Sequence, residues 1–155
     1  MGGRTVLLGA AALAAGLALA GCGGGTSVPA EAVVRAWSDA VNTGQDERAA
    51  QLLAKGAIAI RGTSETVLRD EAQATAWNQA QRCAGLPQKV QTHADIVTVT
   101  FALRDREQGS CTARGGTATW EFEVRKGRIV FLRLLAAAPA AHLPAAAPAP
   151  ATTTG

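Results

Sequence analysis

The stretch Ile96-Val97-Thr98-Val99-Thr100-Phe101-Ala102-Leu103-Arg104 decides the fold. Val97, Val99, Phe101 and Leu103 share one parity, and Thr98, Thr100, Ala102 and Arg104 share the other, so the segment reads as a strand with one dry and one wet face. Thr117 to Arg125 repeats the rule, setting Ala118, Trp120, Phe122 and Val124 against Thr117, Thr119, Glu121, Glu123 and Arg125. A third strand is expected from Arg128 to Leu135. Such strands predict a curved antiparallel sheet whose apolar side must be covered.

The cover lies upstream. Between Pro29 and Asn42 the residues Val33, Val34, Trp37, Ala40 and Val41 recur at helical spacing, with Pro29 and Glu31 suited to a first turn and Gly44 to a stop. Asp46 can cap a short second helix with an inner stripe of Ala49, Ala50, Leu52 and Leu53, ending before Gly56. A short strand is expected over Ala57 to Arg61. A third helix starts at Asp70, which has capping-box spacing to Gln73. Its expected stripe is Ala72, Ala76, Ala80 and Cys83, with Trp77 nearby and Gly85 and Pro87 as stops. A fourth short strand is read from Lys89 to Thr92. Helices placed ahead of strands imply α+β, with three N-terminal helices on a strongly curved antiparallel sheet of four to six strands.

Both ends lie outside this core. Met1 to Gly21 carries one charge, Arg4, then an apolar run from Val6 to Ala20 that is short for a membrane span, which is the layout of an export signal. Leu19-Ala20-Gly21-Cys22 resembles the bacterial lipobox in all four positions. That resemblance implies cleavage before Cys22 and acylation of Cys22, so the mature chain would be tethered to the extracytoplasmic side of the cell membrane, palmitate among its acyl chains. Two or more chains make a lasting anchor where one binds only marginally. Residues 22–28 read as a flexible tether, 29–135 as the domain, and 136–155, rich in Ala, Pro and Thr, as a disordered tail.

The 155 residues suit one domain, and a net charge of +3 from 15 basic and 12 acidic side chains is small and dispersed. Phosphate tracking needs a localised basic face with aromatic platforms, so nucleic-acid binding is not expected. The spacing suggests neither a metal site nor a cofactor.

Two helices with a Trp in the first, Asn42-Thr43-Gly44-Gln45-Asp46 between them, a third helix with Trp77, and the hairpin Trp120-Glu121-Phe122-Glu123-Val124-Arg125-Lys126-Gly127-Arg128-Ile129 together resemble the nuclear transport factor 2-like superfamily. The resemblance spans about Ala30 to Leu135. It implies a cone in which the sheet wraps the helices and leaves a cavity at its open end. Ketosteroid isomerases and polyketide cyclases belong to that superfamily, alongside many non-catalytic binding domains.

With Cys22 acylated, Cys83 and Cys111 remain as an even pair in an oxidising compartment, which favours a disulfide. The rival roles, redox chemistry or metal ligation, lack a Cys-x-x-Cys and any neighbouring His. Isomerases of the superfamily stabilise an enolate with donors that include Tyr. This chain has no Tyr. His93 and Asp95 share the parity of Val97 and Val99 and form the sharpest acid–base candidate; the plainer reading is a polar turn. Trp37, Trp77, Trp120, Phe101 and Phe122 are the candidate pocket lining, against ordinary core packing. Arg61, Arg69 and Asp70 would form a polar rim at the mouth, while Arg104 to Glu107 reads as a solvated strand end. The sequence thus points to a lipid-anchored, non-catalytic cone binding a small apolar ligand or a protein, with a homodimer through the outer sheet face as one form. An isomerase- or cyclase-like enzyme using His93 and Asp95 is the alternative.

Overall fold

The computed structural model describes residues 28–140; the expected export signal, Cys22, most of the expected tether and the end of the expected tail lie outside them. The chain runs α1 (Ala30–Asn42), α2 (Asp46–Gln51), β1 (Leu53–Arg61), β2 (Ser64–Leu68), α3 (Glu71–Gln79), β3 (Cys83–His93), β4 (Ile96–Asp105), β5 (Thr117–Arg125) and β6 (Arg128–Ala138). The six strands form one sheet in the order β2-β1-β6-β5-β4-β3.

The α+β class holds, and two finer expectations are corrected. The sheet is mixed, not wholly antiparallel, because β1 lies parallel to β6, Ile58 beside Phe131 and Ile60 beside Arg133. The helices do not all precede the strands: the β1–β2 hairpin comes before α3. β1 is the strand expected over Ala57 to Arg61, starting earlier at Leu53; β2 is not among the expected strands, because Ser64 to Val67 are exposed on an edge strand and only Leu68 is buried, so no alternation marks it.

Period-two alternation does place β4 and β5. Val97, Val99, Phe101, Ala118, Phe122 and Val124 are buried, while Thr98, Thr100, Thr119, Glu121 and Glu123 on the other parity are only part-buried. Lys126 and Gly127, both at positive φ, close the β5–β6 hairpin with Arg125 opposite Arg128, as a tight two-residue turn requires. Beyond Leu135, β6 continues three residues, with Ala136 to Ala138 paired to Thr119, Ala118 and Thr117. Register shifts at Leu53/Ile58, Pro87/Lys89, Thr119/Trp120 and Glu123/Val124 bend the strands that carry them.

α1 packs its Val33, Val34, Trp37, Ala40 and Val41 face on the sheet, as its spacing predicts. Its end is closed by Gln45 N–H bonding Ala40 O and Gly44 N–H bonding Val41 O, with Gly44 at φ 69°. In α3 the cap is right and the stripe is wrong. Asp70 Oδ1 accepts from Gln73 N–H at 2.8 Å, but the buried residues are Ala74 and Asn78, while Ala72, Ala76 and Ala80 face solvent. Alanines carry too little apolar area to set a helix's rotation, and a buried hydrogen-bonding side chain sets it here. Cys83, Gly85 and Pro87 belong to β3, an edge strand, where a proline is tolerated.

Cys83 and Cys111 form a disulfide, with Cα atoms 4.6 Å apart, joining the start of β3 to the β4–β5 connection. A loop of this length restricts the unfolded chain by about 3.5 kcal/mol in the chain-entropy model. Replacing both cysteines by serine should lower unfolding stability by about 2–5 kcal/mol in urea denaturation. A loss below about 1 kcal/mol would show that the bridge does not restrain the unfolded state.

Candidate functional site

The interior between α1 and the sheet is aromatic. Trp37 meets Phe122 at 5.3 Å and Trp77 at 6.3 Å between ring centroids, and Trp120 meets Trp77 edge-on at 6.3 Å. Phe122 is fully buried, and Phe101 and Trp37 nearly so. Trp37, Phe101 and Trp120 also border a cavity of about 50 Å³, shared with Ser38, Asn42 and Gln81. At about 10–15 Å³ per water it holds a few waters, well short of the roughly 300–1,000 Å³ of a drug-sized ligand pocket. No acidic or basic side chain lines it. Of the five sequence candidates, Trp37, Trp120 and Phe101 line the cavity, while Trp77 and Phe122 stand behind them.

Backbone geometry keeps that space small. Asn42 Nδ2 donates to Gly85 O and Gly85 N–H donates back to Asn42 Oδ1, each at 2.8 Å, clamping β3 to the end of α1. A Cβ at Gly85 would sit 2.9 Å from the Phe101 ring, so only glycine fits.

Beside the cavity lies a buried polar network. Arg106 Nη2 pairs with Asp46 Oδ1 at 2.9 Å, both side chains less than one-tenth exposed. Arg106 Nη1 donates to the carbonyls of Asn78 and Gln81 at 3.0 and 2.9 Å. Asn78 Nδ2 donates to Asp46 O, and Trp37 Nε1–H donates to Asn78 Oδ1 at 3.2 Å. Arg106 is therefore no solvated strand end, and Asp46 is the first residue of α2, not its cap. The ion pair spans 60 positions, and nothing local in the sequence marks it.

At the mouth, Arg61 from the end of β1 lays its guanidinium over Trp77 at 5.0 Å and Trp120 at 5.5 Å. Its Nη2 donates to Gln81 Oε1, and its Nε is buried without an acceptor. Desolvation by burial lowers its pKa from the ordinary arginine value. Arg69 and Asp70, the other expected rim residues, are exposed, Asp70 serving as the α3 cap.

His93 and Asp95 stand elsewhere. His93 ends β3 opposite Ile96, Asp95 follows in the turn, and both are exposed. Asp95 borders an open hollow with Thr92, Lys126 and the start of α1; the cavity lining contains neither residue. Among the described residues no group of three His, Cys, Asp or Glu side chains could hold a metal ion, and no helix is long and apolar enough to cross a membrane.

No family model and no curated protein matches the sequence. Solved structures do match the fold. A polyketide cyclase candidate from Sinorhizobium meliloti aligns at TM-score 0.55 and 19% identity, over 69% of this chain and 94% of its own. A nuclear transport factor 2-like protein of unknown function from Cytophaga hutchinsonii aligns at 0.57 and 13%, over 71% and 91%. A protein of ketosteroid isomerase-like fold from Catenulispora acidiphila, in complex with trimethylamine, aligns at 0.56 and 15%, over 67% and 84%. The fold is that of the nuclear transport factor 2-like proteins.

Removing one partner of the Asp46–Arg106 pair strands a buried charge, so Arg106→Met should cost about 3–5 kcal/mol. Adding Asp46→Leu to that variant should recover most of the loss, as read in a double-mutant cycle of unfolding free energies. Strictly additive losses would show that the two side chains are not coupled.

Proposed function

We propose that this chain is a lipid-anchored, extracytoplasmic binding domain with no catalytic centre, its ligand received at the mouth of the cone and not in an enclosed apolar chamber. The observation that carries the reading is the interior itself: packed aromatics leave about 50 Å³, and no carboxylate, imidazole or amine that could serve as a general acid or base lines that space. The small apolar ligand suggested by the sequence has correspondingly little room. The anchor is supported by the Leu19-Ala20-Gly21-Cys22 motif, and the disulfide suits an oxidising compartment.

A protein partner or a second copy would use the outer face of the sheet. There Thr100 and Thr119 are hydrogen-bonded at 3.0 Å, Arg133 pairs with Glu121 at 2.8 Å, and Val67 and Ile96 are exposed apolar residues four strands apart in the same row across the sheet. The enzyme alternative would need His93 and Asp95 to act together from the exposed β3–β4 turn, where Asp95 borders the open hollow and His93 does not.

Two measurements test the proposal. In cells fed labelled palmitate, the wild-type chain should carry label and sediment with membranes, while Cys22→Ser should be unlabelled and keep its uncleaved leader. An unlabelled wild-type chain, or a Cys22→Ser protein labelled like wild type, would overturn the anchor. For the second half, His93→Ala should leave the melting temperature unchanged and reveal no lost turnover on enolisable ketones; a turnover that disappears with His93 would restore the enzyme.

A further inference from the structure

The mouth of the cone presents an unfinished ion site. Arg61 is half-buried, its guanidinium lies against the Trp77 and Trp120 indoles, and it takes part in none of the ion pairs among the described residues. The other buried guanidinium, Arg106, has its carboxylate in Asp46. Arg61 has only the neutral Gln81 amide, whose oxygen accepts from Nη2.

The edge on which that amide sits matters. In a guanidinium, the Nε–H and one Nη2–H point the same way and form a fork that matches the two oxygens of a carboxylate. One amide oxygen fills one prong. The other prong, Nε, is buried and has no acceptor. Burial also disfavours the charged form of Arg61 with no nearby anion to offset it. Gln81 is held from below, since its carbonyl accepts from Arg106 and its amide nitrogen donates to Trp77 O. Gln81 also borders the cavity of about 50 Å³.

We propose that Arg61 is the anion contact of a binding site for short-chain carboxylates, with the Gln81 side chain as the group the ligand displaces. The ligand's carboxylate takes the Nε and Nη2 prongs together, and its tail lies along Trp120 toward the cavity. A tail of about three or four carbons is what a space of a few waters accepts. This names the ligand class for the mouth in the proposed binding domain, and rests on that reading.

Butyrate is the probe, with butyramide as its uncharged isostere and butylammonium as its cationic counterpart. The full chain in detergent is titrated and followed by tryptophan fluorescence, since Trp77 and Trp120 both touch Arg61. Six non-hydrogen atoms at about twice the ligand efficiency of drug-sized molecules, as suits a small ligand, give a dissociation constant on the order of 1 mM. Butyrate should saturate the signal, while butyramide and butylammonium should not. Arg61→Gln should weaken butyrate at least 100-fold with the fold retained. Gln81→Glu, which supplies a carboxylate from within, should raise the melting temperature and abolish the butyrate response.

The proposal is overturned if butyrate gives no saturable signal, if butyramide matches it, or if chloride or phosphate at equal ionic strength does as well. Arg61→Gln retaining affinity within about threefold, or Gln81→Glu binding butyrate like wild type, would overturn it equally. If Arg61→Gln does not fold, the discrimination of butyrate from butyramide by the wild type and the Gln81→Glu variant carry the test. Failure here leaves the palmitate labelling untouched, so the anchor stands or falls separately.

Discussion

The ion pair between Asp46 and Arg106 holds the molecule's parts in register. Taking two charges out of water costs several kcal/mol per ion, and attraction offsets this only where the remaining donors are satisfied. Here most are. Arg106 reaches the carboxylate at the start of α2 and two carbonyls at the end of α3, and Asn78 links the same cluster to Trp37 on α1. Three helices that share few large apolar side chains are thereby fixed to one residue following β4. The disulfide restrains the same region from the other side, tying the start of β3 to the connection that Arg106 opens.

Positions downstream of that clamp follow from it. Asn78 sets the rotation of α3, which turns Trp77 toward Trp37 and Trp120 instead of into solvent. Trp77 and Trp120 then make the face on which Arg61 lies. The chain is rich in alanine, and alanine contributes little area per residue, so the aromatic cluster supplies the bulk that closes the interior. The space these aromatics leave beside α1 is about 50 Å³, far below the volume of a drug-sized ligand pocket.

Much of the frame is legible residue by residue. Val97, Val99 and Phe101 on one parity, and Ala118, Phe122 and Val124 on the next, specify two central strands because a period of two admits one dry face. Gly44 and Asp70 mark a helix end and a helix start because local backbone bonding rewards those residues there. Cys83 and Cys111 can be paired by counting once Cys22 is set aside as the expected lipidation site. The strand over Ala57 to Arg61 is legible, but its hairpin partner β2 escapes, since an exposed edge strand carries no alternation. So does the rotation of α3, where the apparent alanine stripe competes with a polar residue that has partners 32 and 41 positions away.

Of the site itself, the sequence names Trp37, Trp77, Trp120, Phe101 and Phe122 as aromatics at core spacing, and it singles out Arg61 as a rim residue. It does not join them. Local pattern determined which segments are strand or helix and which faces are apolar, because those depend on neighbours within a turn or a pleat. The tertiary structure decided that Arg61 lies on two tryptophans, that Arg106 is buried on Asp46, and that the space between the helices and the sheet is nearly filled. Those outcomes depend on side chains 16 to 60 positions apart meeting in a low-dielectric interior, and no local rule encodes such a meeting.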